Sequence, residues 1–135
     1  MRVSVLLIFL FFSLSTFSQE IGSVKNGNYS IKLLKNNNLF SFVYSELSCN
    51  TFTTENSFNF PNKETVYGII MDGFEAKNDH QMIVQTSIDT IVKFEFKKIK
   101  GETMLKIRQN NLGSSTFGSS TFFSKDEILQ LFGNP

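Results

Sequence analysis

Alternation of apolar and polar residues is clearest between Thr90 and Gln109. Val92, Phe94 and Phe96 are separated by Lys93 and Glu95, a period of two that gives a strand one buried and one wet face. Lys100-Gly101 supplies a two-residue turn, because glycine takes positive φ without steric cost. A turn at that place sets Ile99 against Glu102. Pairing then propagates outward, so that Phe96 faces Leu105 and Phe94 faces Ile107. On the opposite face Glu95 meets Lys106, an opposite-charge pair. Both faces agree with one register, as a stable hairpin requires.

A second hairpin is expected over Tyr29 to Ser45, with Asn36-Asn37 as its turn, since asparagine tolerates left-handed backbone. That turn would pair Leu33 with Phe40, Ile31 with Phe42 and Tyr29 with Tyr44. Between Lys63 and Glu75 the period changes. Val66, Tyr67, Ile70, Met71 and Phe74 form a helical stripe, and Pro61 followed by Asn62 reads as a lead-in and N-cap. Gly68 and Gly73 oppose it at about 1 kcal/mol each; a strand over Thr65 to Met71 is the alternative. A C-terminal helix is marked by the capping box Ser124-x-x-Glu127, the stripe Ile128, Leu129 and Phe132, and a stop at Gly133 and Pro135.

These elements recur. Shifting the first hairpin by 63 residues sets Tyr29, Ile31 and Leu33 on Val92, Phe94 and Phe96, and Asn37 on Lys100. Shifting the first helix by 62 sets Asn62-Lys63-Glu64 on Ser124-Lys125-Asp126, with Val66, Tyr67 and Ile70 on Ile128, Leu129 and Phe132. Each half then reads as a hairpin, a third strand (Thr51 to Phe60; Ser114 to Phe123) and a capped helix. Gln81 to Thr86 adds a leading strand to the second half, and Glu20 to Val24 a counterpart in the first. With halves 19–76 and 80–135, a tandem β-β-β-β-α repeat is one reading; the other is two unrelated hairpin-plus-helix units that match because alternation is a low-information pattern. A smaller repeat, Ser114 to Phe117 and Ser119 to Phe122, spans Gly118. Its spacing of five would set the two phenylalanines on opposite faces unless a bulge at Gly118 restores them to one.

The remaining apolar run is N-terminal. Val5 to Phe12 is unbroken, follows Met1-Arg2, and gives way to small and polar residues up to Ser18. That order is the pattern of a secretory signal peptide, too short to span a bilayer. Cleavage after Ser18 would leave a single small domain, 19–135, in the periplasm or outside the cell. The chain carries 13 basic and 12 acidic side chains. Only Arg2 lies in the signal, so 12 of each remain and the net charge is zero. A balanced charge points to neither nucleic acid nor a membrane surface. Of 16 phenylalanines four lie in the signal, and tryptophan is absent, so the core must be built largely from Phe, Ile, Leu and Val.

The chemistry-bearing residues are sparse. Cys49 is a single thiol with no partner for an internal disulfide. His80 is the one histidine, expected on a solvated turn without the further ligands a metal site needs. Gly113-Ser114-Ser115-Thr116-Phe117 departs from a nucleophile elbow, which needs glycine at position 117. Phosphate-cradling glycine patterns, paired cysteines and calcium loops are absent, so no cofactor is expected. One surface stands out. The outer face of the Thr90–Gln109 hairpin carries Lys93, Lys97, Lys106 and Arg108 against Glu95. Such a face can take an acidic protein, an acidic glycan or phosphate, or simply be a solvated face whose lysines discourage edge pairing.

A doubled β-β-β-β-α unit resembles, in element order alone, the single-stranded nucleic-acid-binding PUR and Whirly repeats. Their motifs are not present, and export together with inward-facing aromatics points away from nucleic acid. The expected fold is α+β: one antiparallel sheet of six to eight strands with both helices on a Phe-rich face. An all-β sandwich or barrel with a C-terminal helix is second. The expected function is that of a small exported non-catalytic protein that binds a partner or serves a structural role in the envelope. The rival is an enzyme using carboxylates that meet only in the fold.

Overall fold

The computed structural model describes residues 18–47 and 54–133. The apolar N-terminal run, Cys49 and Pro135 lie outside them. The element order is β1 (Gln19–Asn26), β2 (Tyr29–Asn36), β3 (Leu39–Ser45), β4 (Glu55–Phe60), α1 (Lys63–Glu75), β5 (His80–Ser87), β6 (Thr90–Ile99), β7 (Glu102–Asn111), β8 (Thr116–Ser124) and α2 (Lys125–Leu131). The fold is α+β, with four strands and a helix in each half. The strands form two open antiparallel sheets, β1-β2-β3-β4 and β5-β6-β7-β8, instead of one continuous sheet.

The β6–β7 hairpin has the register its turn dictates. Lys100 and Gly101 take φ of 52° and 84°, and Phe96 faces Leu105 while Phe94 faces Ile107. In the first half the turn lies one residue later than expected. Asn37 takes φ 57°, Asn36 pairs Leu39, and the apolar pairs become Leu33 with Phe42 and Ile31 with Tyr44. Moving a turn by one residue moves the register by two. Side-chain parity survives, and the same residues still point inward. Position 37 can carry the left-handed turn because asparagine tolerates that geometry.

Lys63–Glu75 is a helix. Asn62 caps it, accepting the Thr65 N–H at 3.1 Å. Of the two glycines that argue against it, Gly73 is required by packing: a Cβ there would lie 2.1 Å from the Phe96 ring. In α2, Ser124 and Glu127 form the reciprocal capping box. Its buried face is Ile128, Leu131 and Phe132, with Leu129 only half-buried. The C-terminal turn of α2 lies so close to β1 that a Cβ on Gly22 would sit 2.2 Å from the Leu131 carbonyl oxygen. That close approach selects the buried face.

α1 follows the first sheet in sequence but packs on the second, and α2 bridges the two sheets. α1 rests on β5, β6 and β7, whereas α2 rests on β1 and β2 as well as on β7 and β8. One buried apolar cluster therefore spans both sheets and both helices. Aromatic contacts cross every seam. Phe58 meets Phe94 between the sheets at 6.4 Å, Phe42 meets Phe132 of α2 edge-on at 5.6 Å, and Tyr67 of α1 meets Phe132 at 5.1 Å.

The sheets are also locked by a polar seam. The Tyr44 hydroxyl donates to Gln109 Oε1 at 2.8 Å, and Gln109 Nε2 donates to the Ser57 carbonyl at 2.8 Å. The Leu47 N–H donates to the Ser119 carbonyl at 2.8 Å. Burial pushes the Tyr44 phenol well above its ordinary range, and the charge of Glu46 adds to the effect. Buried polar groups of this kind hold a fold together only when each has its partner.

β8 carries a bulge, placed at Ser120-Thr121 opposite Ile107 instead of at Gly118. The Ser120 hydroxyl accepts the Ile107 N–H at 2.9 Å, so a side chain replaces the ladder acceptor that the bulge removes. Gly118 instead makes room for the first sheet, since a Cβ there would sit 2.7 Å from both the Tyr44 hydroxyl and Asn56 Nδ2. The bulge brings Phe117 and Phe122 to one face, since they oppose Asn110 and Lys106, residues of equal parity on β7.

Candidate functional site

The outer face of the second sheet is built by the cross-strand registers. One row across it is Ile83, Lys93, Arg108 and Ser119. The next is Gln85, Ile91, Asn110 and Phe117. Between and around these rows opens a groove of about 550 Å³, to which all four strands contribute and which Glu46 borders from beyond β3. The volume is that of a small-molecule site.

The four cations expected on this face are not equivalent. Lys93 and Arg108 are direct cross-strand partners, and both line the groove. Lys106 shares the face, but its ammonium lies over the Phe122 ring at 5.4 Å. Lys97 faces Met104 and borders a separate, smaller concavity with Asp79, His80 and Glu95. Glu95 does stand opposite Lys106 in register, yet its carboxylate takes Arg108 instead, whose Nε donates to it at 2.6 Å. Among the described residues, the charge presented to the groove is thus the Lys93–Arg108 pair plus one acid, Glu46.

Glu46 is buried, 8% exposed. Both carboxylate oxygens accept the Ser119 N–H at 3.1 Å, and the Asn56 amide donates to the same carboxylate. This engagement pins the β8 end of the groove to the first sheet.

The groove's apolar lining is not marked out by the sequence. Ile83 is 62% exposed and Phe117 77% exposed, with Ile91 half-buried beside them. Ile83 sits at an outward position of an alternating strand, a signal available in Gln81 to Thr86. Phe117 falls, by sequence, in the third strand of the second half, and its outward placement depends on a bulge whose position only the fold sets.

His80 opens β5 instead of lying on a free turn. It is half-buried, stacked on Phe96 at 5.1 Å and 14°, with Nδ1 3.2 Å from the Asn78 carbonyl. The pairing of β5 with β6 puts His80 opposite Phe96, which draws the imidazole onto the ring. Among the described residues no group of three or more His, Cys, Asp and Glu converges on one point, and no helix is long and apolar enough to cross a membrane.

No protein-family model matches the chain, and neither a curated protein nor a solved structure is similar to it. Two fixed cations beside exposed apolar side chains can bind an oxyanion. Among the described residues, Glu46 is the carboxylate lining the groove, and it accepts the Ser119 N–H and the Asn56 amide.

Proposed function

We propose that this is a small exported, non-catalytic binding protein. Its contact surface is the outer face of the second sheet, and its partner is anionic. The observation that carries the reading is the placement of Lys93 and Arg108 side by side in one groove. The register sets their backbones side by side, so both side chains can reach one anion. An acidic protein and an acidic glycan both present the required charge.

Export is supported by the signal-like N-terminal pattern and by the start of β1 at Gln19. Cleavage after Ser18 would leave β1 whole. The two halves are read as copies of one unit, supported by equivalent caps at Asn62 and Ser124 and equivalent positive-φ positions at Asn37 and Lys100.

Two measurements test this reading. Intact mass of the protein recovered from periplasm or medium should correspond to a chain beginning at Gln19; a mass retaining Met1 to Ser18 would refute export. Immobilised protein should capture an acidic partner from envelope extract, and added salt should release it. Lys93→Gln with Arg108→Gln should abolish the capture. Capture that is indifferent to both the double variant and salt would refute the anionic contact face.

A further inference from the structure

The groove's composition goes further than its charge. Phe117 and Ile83 are among the most exposed large apolar side chains in the described structure, and both border the same groove as the Lys93–Arg108 pair. A concave groove lined by exposed apolar side chains and a few convergent polar groups is the usual form of a small-ligand site. We infer that the groove binds a small amphipathic carboxylate, its head group on Lys93 and Arg108 and its apolar body along Ile91 and Phe117. This rests on the anionic-partner reading above and narrows it to one ligand class.

Three observations favour a single-headed ligand over a polyanion. First, the cations do not form a broad field. Lys106 is drawn over Phe122, Lys97 borders a different concavity, and Arg108 already shares its Nε with Glu95. With Glu46 at its β8 end, the groove is left with Lys93 and the remaining N–H groups of Arg108, enough for one head group and too little for a polyanion. Second, Ile91 and Phe117 lie in the row of residues next to that pair. A polyanion would leave them uncovered. Third, the groove crosses the strands. Three inter-strand spacings amount to about 14 Å, long enough for a medium-length alkyl or aryl carboxylate. An extended peptide laid across strands cannot pair with their backbones, and an apolar lining offers its N–H groups few acceptors.

The test is titration of the purified protein with decanoate, decanol and decyltrimethylammonium, each kept below its micelle concentration and followed by calorimetry. Decanoate should bind at least about tenfold more tightly than decanol, as a charge-assisted hydrogen bond implies, and the cation should bind weakest. Lys93→Gln with Arg108→Gln should bring decanoate down to the level of decanol and leave decanol unchanged. Phe117→Ser should weaken both, and Ile83→Ser provides a second variant of the apolar lining. Both positions are exposed, so circular dichroism should be unaltered. Equal binding of the three probes would overturn the inference, as would decanoate affinity that survives the lining and cation variants. Binding of polyglutamate or heparin in a Lys93- and Arg108-dependent way, without decanoate binding, would overturn this inference and leave the anionic-partner reading standing. Failure of both decanoate and polyanions to bind would overturn the two together.

Discussion

Replacing the two glycines of α1 by alanine, one at a time, tests whether that helix is seated on the second sheet. In a helix interior, alanine is favoured over glycine by about 0.8–1 kcal/mol. At Gly68 a Cβ meets nothing within 4 Å, so Gly68→Ala should stabilise the protein by about 1 kcal/mol. At Gly73 the same atom would lie 2.1 Å from two carbons of the Phe96 ring, well inside the ~3.5–4.0 Å of a carbon contact. Phe96 has little room to retreat. It is 1% exposed, stacked on His80 at 5.1 Å and met edge-on by Phe74 at 5.2 Å. Overpacking of this kind costs about 1–3 kcal/mol, and an overlap this deep belongs at the upper end. After the helix-propensity gain is set against it, Gly73→Ala should be less stable than wild type by roughly 1–2 kcal/mol. Urea unfolding followed by circular dichroism resolves the pair. With a slope of about 1–3 kcal/mol per molar, the two midpoints should lie about 1 M or more apart, on opposite sides of wild type. A Gly73→Ala midpoint at or above wild type would show that α1 does not rest on Phe96, and the interlocked arrangement of helices and sheets would fall with it.

Phe94→Ala should cost about 3–5 kcal/mol, as loss of a buried phenylalanine usually does, whereas Lys97→Ala, on the exposed face, should change stability by no more than about 0.5 kcal/mol; equal losses in urea unfolding would mean the sheet is covered on both sides. Ser120→Ala removes the acceptor of the buried Ile107 N–H and should cost about 1–3 kcal/mol, with loss of hydrogen-exchange protection at Ile107; unchanged protection would place the bulge elsewhere. The raised Tyr44 phenol makes stability depend on alkaline pH. A folded-state value above the ordinary 10.0 leaves its contribution intact below about pH 10 and removes it as the pH climbs beyond. Between about pH 8 and pH 11 the unfolding midpoint should therefore fall further in wild type than in Tyr44→Phe, and parallel losses would show that the phenol is not buried against ionisation.

Much of the architecture is written locally. The β6–β7 register follows from Lys100-Gly101 because a two-residue turn leaves a single way to pair its flanks. The helix caps at Asn62 and Ser124 are legible because a cap is made within three residues. The inward set Ile31, Leu33, Phe42 and Tyr44 is legible despite a misplaced turn, because a one-residue error in the turn conserves parity. The basic stripe follows from alternation in the same way.

What the sequence could not carry was every relation between elements far apart in the chain. Division of the described strands into two sheets, the seating of α1 on the other half's sheet and the bridging of both sheets by α2 depend on which faces bury the most apolar surface together. That is a sum over the whole molecule and leaves no mark in any one window. The same is true of the site. Alternation put Lys93 and Arg108 on one face, but it took the β5–β6 pairing to bring Ile83 beside them. It took the Ser120-Thr121 bulge to turn Phe117 outward, and the contact of Glu46 with Ser119 to close the groove's end. Gly118 and Gly73 show why: each reads as a weakness in its own element, and each is glycine because a side chain from another element occupies the space a Cβ would need.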